Sequence, residues 1–354
     1  MTVYFIEEDD IVRFLTDIKR GPLIATVEGV SGPEFALIDE QQPNPELRVA
    51  RPSESLKSVA FPSRERVAVY PGKSDACEPD IDPNAPQVLV GCRGCDLRAM
   101  ELLDHVFIEG DSEDPFYKVR RENSVVISVD CVALADTCFC NLVGGQPYAE
   151  SGYDLNLSPV GSGYVVDIGS ENGKELVLEK ADLFVEAAPE KLDERDRSRI
   201  ATMQRLEEKN AKYACDKSLH EIVRNAIESK KWNELSINCV ECGACSFICP
   251  TCHCFLLTDQ PVKSEPNTFE RVKVWDSCIL NSFSRMAGVD SIKATPRPEL
   301  RSRFQNRLLH KYVWFFENFE RLGCVGCGRC IDACLGGSDL RQVLVDLQGQ
   351  KETE

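Results

Sequence analysis

Cysteines carry most of the chemistry that this chain could perform. Residues 239–250 contain four cysteines separated by gaps of two, two and three residues and followed by a proline, and residues 324–334 repeat the same gaps. A short loop with this spacing can wrap thiolates around a 4Fe–4S cluster. Because the run occurs twice, the sequence predicts two such clusters.

The fourth cysteine of each run opens the next helix and points away from its own loop, so in two-cluster proteins it binds the other cluster. The spacing therefore predicts crossed ligand sets. They are Cys239, Cys242, Cys245 and Cys334 for one cluster, and Cys324, Cys327, Cys330 and Cys249 for the other. The alternatives are a zinc ribbon or buried structural thiols, but zinc favours pairs of Cys-x-x-Cys over two runs of four.

A further group of cysteines follows two predicted strands. Cys92 and Cys95 come after the apolar run 88–90, and three more cysteines come after the run 125–129. The carboxyl ends of parallel strands meet at one edge of a sheet. We therefore predict a third 4Fe–4S cluster held by Cys95, Cys131, Cys138 and Cys140, with Cys92 as a neighbouring thiol or substitute ligand. The alternative is a group of buried thiols, since cysteine is often buried.

Cys252, Cys254 and Cys278 form a weaker candidate set. Cys-x-Cys can bind one metal, but a fourth ligand is not evident. We expect His253, between two of these thiols, to face a partner or to cap a backbone group.

Composition limits the possible functions. The chain has 354 residues, is 43% hydrophobic and carries a formal net charge of −17, which argues against a basic nucleic-acid surface. No apolar run approaches a membrane-spanning length, and the first ten residues have no signal-peptide pattern. The cysteines then indicate metal ligands in a reducing cytoplasm and an anaerobic metabolism.

Other patterns predict the elements that must position these thiols. Ile11, Phe14, Leu15 and Ile18 share one face of a helix. Strand-like runs follow at 23–27, 67–70, 88–90 and 125–129, with a helix capped by Asp96 between the last two, which favours a parallel sheet. Residues 153–178, with the turn Asn172–Gly173, resemble a β-meander.

The predicted architecture is an α/β N-terminal domain with a β-meander, over residues 1–185, and an α-helical dicluster ferredoxin-like C-terminal domain, over 236–354. A charged helical linker, 186–235, joins them, and a long insertion, 255–320, separates the two cysteine runs. We interpret the aromatic stripe inside this insertion as core packing.

Several segments together resemble a known family, the iron–sulfur subunits of the anaerobic sulfite reductase type and the β subunits of cytoplasmic sulfhydrogenases. Related subunits also occur in flavin oxidoreductase assemblies that feed heterodisulfide reductase. The matching segments are 93–99, 114–117, 120–123, 138–140, 249–254, 275–278, 286–288 and 310–311. Two features depart from the family pattern: Cys92 is an additional cysteine, and Leu335 rather than proline follows Cys334.

The resemblance implies an electron-transfer subunit beside a flavin- and pyridine-nucleotide-binding partner and a further catalytic or iron–sulfur subunit. The chain itself has no phosphate-cradling motif, so we expect no flavin or nucleotide in it. The alternatives are a reductase subunit with its own substrate-binding cluster at the weaker cysteine set, and a stand-alone ferredoxin-like carrier.

Overall fold

A computed structural model describes residues 2–18, 20–39, 44–70, 85–263, 267–286 and 295–349. Ala287 and Gly288, part of one family-like segment, lie outside these residues. The strands are β1 Tyr4–Glu7, β2 Leu23–Gly29, β3 Gly32–Leu37, β4 Arg64–Tyr70, β5 Gln87–Cys92, β6 Ser124–Val129, β7 Leu155–Val160, β8 Gly163–Ile168, β9 Val185–Glu186, β10 Phe255–Pro261 and β11 Phe269–Trp275.

The helices range from single turns to a helix of 22 residues. They are α1 Glu8–Asp17, α2 Lys57–Ala60, α3 Gly94–Phe107, α4 Pro115–Glu122, α5 Glu171–Glu179, α6 Pro189–Asn210, α7 Leu219–Asn225, α8 Trp232–Leu235, α9 Ala244–Phe247, α10 Leu300–Leu309, α11 Phe315–Phe319, α12 Arg329–Asp332 and α13 Leu340–Gln348. A π-helical turn, His310–Trp314, joins α10 to α11.

The chain forms two compact units, and neither is a continuous segment. The first comprises Met1–Leu56, Asn84–Lys212 and Val325–Gly328, and the second comprises Lys57–Pro83, Tyr213–Cys324 and Arg329–Glu354. Helix α6, predicted as a linker, therefore belongs to the first unit.

The first unit is built on a mixed eight-stranded sheet in the order β3-β2-β5-β6-β7-β8-β1-β9. Strands β2, β5, β6 and β7 are parallel, and helices α3 and α4 form the crossover from β5 to β6. Aliphatic side chains of these central strands pack with the apolar face of α1 into one core. The parallel arrangement brings the ends of β5 and β6 to the same edge, where the chain continues into the cysteine-containing loops.

The second unit contains short helices and a three-stranded antiparallel sheet, β10-β11-β4. The predicted stripe runs from α10 through the π-helical turn into α11. Its members Leu308, Leu309, Tyr312 and Phe315 are buried, which agrees with core packing, whereas Phe316 and Phe319 are only partly buried. The α-helical description of this part of the chain is incomplete, because it omits the sheet.

Three local predictions are wrong. Residues 67–70 do form a strand, but β4 pairs antiparallel with β11 and lies outside the parallel sheet. No turn forms at Asn172–Gly173, because Ser170 caps α5 by accepting from the Gly173 N–H at 3.0 Å; the meander is instead a hairpin of β7 and β8 followed by that helix. Asp96 lies inside α3, where its carboxylate accepts from the N–H of Arg93, the actual N-cap residue.

Candidate iron–sulfur centres

The first unit brings together Cys131, Cys138 and Cys140, three members of what we call the N-terminal thiol set, whose fourth predicted member is Cys95. The three thiols lie close enough to influence one another's ionisation. Burial raises the pKa of Cys131 to about 12 and that of Cys140 above its usual range. These thiols therefore stay protonated near neutral pH unless a cation displaces the protons.

Cys95 lies in the first turn of α3. Arg93 and Asp96, which flank it, are near enough to Cys131 to influence its pKa. Cys92, in contrast, ends strand β5, and its buried thiol donates to the carbonyl of Leu89 at 3.7 Å. Burial raises its pKa strongly.

Buried polar groups fix the loop that carries Cys131. The Arg93 guanidinium donates to the carbonyls of Val129 and Asp130 at 3.4 and 3.3 Å. The Asp130 carboxylate accepts from Arg199 Nε at 2.7 Å and also accepts from Asn156 and Ser158. The loop is thus held through its backbone and through a side chain, as a rigid metal site requires.

The middle of the second cysteine run also belongs to the first unit. The Phe139 N–H donates to the Gly326 carbonyl at 2.8 Å, and the Cys138 thiol faces the Cys327 carbonyl at 4.0 Å. Gly326 has φ +65°, and a Cβ atom there would lie 2.6 Å from the Cys140 Cα. Only glycine allows this close approach of the second run to the N-terminal thiol set.

In the second unit, one cavity is lined by four cysteines, which are Cys239, Cys245, Cys330 and Cys334. Burial raises the pKa of Cys239, and the thiols of Cys245, Cys334 and Cys242 are its close neighbours. Cys239, Cys242 and Cys245 belong to the first run, and Cys334 belongs to the second. The structure therefore brings together all four members of one predicted crossed set.

Gly336 explains how the second run reaches the first. A Cβ atom at this position would lie 1.9 Å from the Asn238 carbonyl oxygen, directly before Cys239. The segment after Cys334 thus lies against the start of the first run. A side chain larger than hydrogen would separate them.

Buried cations surround the cysteines of the second unit. The side chains of Lys57, Arg307 and Lys311 are at most 6% exposed. Lys311 Nζ donates to Thr251 Oγ1 and to the Gly323 carbonyl at 2.7 and 3.0 Å, and Arg307 donates to the Cys245 carbonyl at 3.2 Å. In the described part of the chain, no carboxylate pairs with any of the three.

Cysteine side chains, rather than carboxylates, lie next to the cations Arg307 and Lys311. Burial alone would lower the pKa of Lys311, but Cys249 and Cys252 raise it above its usual value. Burial likewise opposes the charge on Arg307, and Cys245 and Cys330 raise its pKa. The hydrogen bond between Cys249 and Cys252 lowers the pKa of Cys249 and raises that of Cys252. These cations favour thiolates, the form that binds iron.

The weaker cysteine set divides into two pairs. Cys252 hydrogen-bonds to Cys249, and Cys254 hydrogen-bonds to Cys278. That second bond lowers the pKa of Cys278 to about 6. His253 Nδ1 lies 3.2 Å from the Thr251 carbonyl oxygen, so the expected contact with the backbone is present.

In the described residues, no group of three or more His, Cys, Asp or Glu side chains is arranged to hold a single metal ion. A cubane spreads its thiolates around four iron atoms and therefore does not require them to converge on one point. The donor chemistry, the close-packed glycines and the compensating cations fit a 4Fe–4S cluster.

Sequence reasoning missed the three cations. Lys311 stands in a family-like segment, and Arg307 precedes it by four residues, which puts both on one helix face. This spacing was an available signal. Lys57 is 190 residues from Phe247, whose carbonyl it contacts at 3.0 Å, so no local pattern could reveal it.

Comparisons with known proteins agree with this geometry. Residues 238–337 match the model of a family described as 4Fe-4S dicluster domain. Sulfhydrogenase 2 subunit beta of Pyrococcus furiosus is 32% identical over 260 residues, which cover 72% of this chain and 72% of the relative. In the described residues, no helix is both long and apolar enough to cross a membrane.

Proposed function

Since the chain belongs to the family of sulfhydrogenase beta subunits, as its sequence predicts, and contains a 4Fe-4S dicluster domain, we propose that it relays electrons within a multisubunit oxidoreductase. It would pass them between a flavin- and pyridine-nucleotide-binding partner and another redox subunit of the hydrogenase, sulfite reductase or heterodisulfide reductase type. We place this complex in the cytoplasm. The clusters supply one-electron steps, which divide the two-electron chemistry of a flavin or substrate.

The observation that carries this proposal is the group of buried cations, Lys57, Arg307 and Lys311, which pair with no carboxylate among the residues that the structure describes. Burying an uncompensated cation costs several kcal/mol, so Arg307 and Lys311 need anions close by. An oxidised 4Fe–4S centre with four thiolates carries about −2 and meets that need. The cations would also favour the more negative reduced state, which is what an electron acceptor requires.

We propose the crossed ligand sets for the two centres. Cys239, Cys242, Cys245 and Cys334 would hold one, and the shared cavity and the close approach at Gly336 support this set. Cys249, Cys324, Cys327 and Cys330 would hold the other. Lys311 has Cys249 and Cys324 as neighbours, while the place of Cys327 rests on the spacing.

A third centre at the N-terminal thiol set completes the proposal. Its support is the proximity of Cys131, Cys138 and Cys140 and the contact of Phe139 with Gly326 of the second run. Cys138 and Cys140 are buried and Cys131 is partly buried, which limits the access of water to the site. The fixed Cys131 loop would limit movement of the ligands during electron transfer, which keeps reorganisation small.

The test is isolation of the native complex under anaerobic conditions, followed by separation of this subunit. We expect the pure chain to contain no flavin and to leave NADH and NADPH unoxidised, and to recover pyridine-nucleotide oxidation when its flavoprotein partner is added. Stoichiometric flavin in the pure chain would contradict the proposal. Activity with substrate but without a partner would favour a reductase subunit.

A further inference from the structure

Cys254 and Cys278 belong to the second unit and lie outside the ligand sets proposed above. Cys254 precedes β10 and Cys278 follows β11, and the Asp276 N–H donates to the Cys254 carbonyl at 2.9 Å, which extends the ladder of these strands. The Cys254 and Cys278 thiols hydrogen-bond to each other. The antiparallel hairpin thus holds two sulfur atoms in contact although 24 positions separate them in the sequence.

The surroundings of this pair favour thiol redox chemistry. Cys278 is buried and Cys254 is partly exposed. Arg307 and Lys311 are positive neighbours of Cys278, as they are of Cys249, and the Asn306 side chain hydrogen-bonds to Cys278. The pair therefore lies beside a proposed cluster ligand and shares its cations. Cations stabilise a thiolate, which is the reactive form in disulfide formation and cleavage.

We propose that Cys254 and Cys278 form a redox-active dithiol that closes to a disulfide by exchanging electrons with one-electron acceptors of the iron–sulfur class. The presence of these acceptors beside the pair rests on the function proposed above. On oxidation both S–H bonds break and one S–S bond forms; two protons pass to water and two electrons leave one at a time. Reduction reverses each change. The pair would store two electrons beside centres that each carry one.

The pairing of these residues distinguishes this proposal from a metal site at Cys252, Cys254 and Cys278. Cys252 hydrogen-bonds to Cys249, whereas Cys254 hydrogen-bonds to Cys278. A disulfide needs two sulfur atoms in contact, which the hairpin provides, whereas a single metal ion needs three or four converging ligands.

The experiment uses the full chain, reconstituted with iron and sulfide under anaerobic conditions and poised in dithiothreitol buffers of stepped potential. Thiols are trapped with iodoacetamide and mapped by mass spectrometry. We expect Cys254 and Cys278 to lose labelling together and to appear as one linked peptide lacking two hydrogens. Their dithiol-to-disulfide ratio should change tenfold for each ~30 mV, the slope of a two-electron couple.

Serine variants provide the controls. In Cys254→Ser, Cys278 should be labelled at every potential with unchanged iron content, and Cys215→Ser, which alters a half-buried thiol elsewhere in the unit, should leave the transition unchanged. Equal labelling of both thiols at all potentials would overturn the proposal. Loss of iron in Cys254→Ser or Cys278→Ser would also overturn it, because the residues would then be ligands. If wild-type chain bound no iron while the two-electron transition persisted, the relay function would fail and the dithiol would stand.

Discussion

The N-terminal thiol set and the C-terminal cysteines offer the same ligand atoms in different electrostatic surroundings. Around Cys131 and Cys140, burial raises the thiol pKa values, and the nearby Arg93 guanidinium donates to main-chain carbonyls. Around Cys249, the hydrogen bond with Cys252 and the buried cations Lys311 and Arg307 lower the pKa of the thiol and already favour the thiolate. The Cys249 thiol therefore favours the thiolate form before iron binds, whereas the thiols of the N-terminal set must lose protons as iron binds.

The largest expected effect is the loss of a complete C-terminal centre when the one ligand that it takes from the other cysteine run is replaced. Cys334→Ser should abolish the centre of Cys239, Cys242 and Cys245, because Cys334 lines one cavity with Cys239 and Cys245 and is a close neighbour of Cys239. Cys249→Ser should abolish the other centre. Electron paramagnetic resonance of the reduced chain, with both variants compared, separates the two signals. If each variant lost the centre of its own run, ligation would not be crossed.

The next effect concerns the N-terminal thiol set. We expect Cys131→Ser to lower the iron content from about twelve to about eight atoms per chain, because one of three cubanes is lost. Cys92→Ser is the matched control and should retain all the iron, since the Cys92 thiol donates to the Leu89 carbonyl within its own strand. Colorimetric iron analysis after anaerobic reconstitution makes the measurement. About eight atoms in the unmodified chain would make this set ordinary buried thiols.

Lys311→Met should have effects of opposite sign in the loaded and the iron-depleted chain. In the loaded chain the variant removes a compensating cation, and we expect a loss of about 3 kcal/mol of unfolding free energy. In the depleted chain it removes a buried cation, and stability should stay equal or rise. Denaturant titrations of both forms test this reversal. Arg341→Met, which breaks the ion pair of the buried Arg341 with the partly exposed Asp339 at 2.7 Å, should destabilise both forms alike.

The smallest effect is a difference in the pH dependence of loading. A thiol with a raised pKa binds iron only with proton release, so affinity at the N-terminal thiol set should increase as pH rises toward the pKa of about 12 at Cys131. The C-terminal centre that includes Cys249, whose pKa is lowered, should load at lower pH. Iron content of wild-type chain and Cys131→Ser, reconstituted between about pH 6.5 and 9, would show the difference. Parallel curves would contradict it.

Local sequence patterns correctly predicted several features that depend on residues close together in the chain. The face of α1 with Ile11, Phe14 and Leu15 is buried as its spacing predicts, and the ends of β5 and β6 meet at one sheet edge. The cysteine spacing predicted a dicluster domain, which the family comparison confirms. The individual ligands of each cluster stay predictions.

Features that depend on contacts between residues far apart in the sequence were not predicted in this way. β4 looks like a strand of the parallel sheet, but its partner β11 lies about 200 residues further along the chain. Asn172–Gly173 is a common hairpin turn, yet the cap from Ser170 and burial of Leu176 and Val177 favour a helix. The compensating cations depend on tertiary contacts, which charge and spacing alone do not specify.

The placement of Val325–Gly328 in the first unit has a consequence for synthesis on the ribosome. The carbonyl of Gly326 completes the backbone contact of Phe139, so this loop of the first unit lacks its partner until the last tenth of the chain has been made. Domains that are continuous in sequence can fold in order as they emerge. The loop around Phe139, which carries Cys138 and Cys140, can therefore make this contact only when translation is nearly finished.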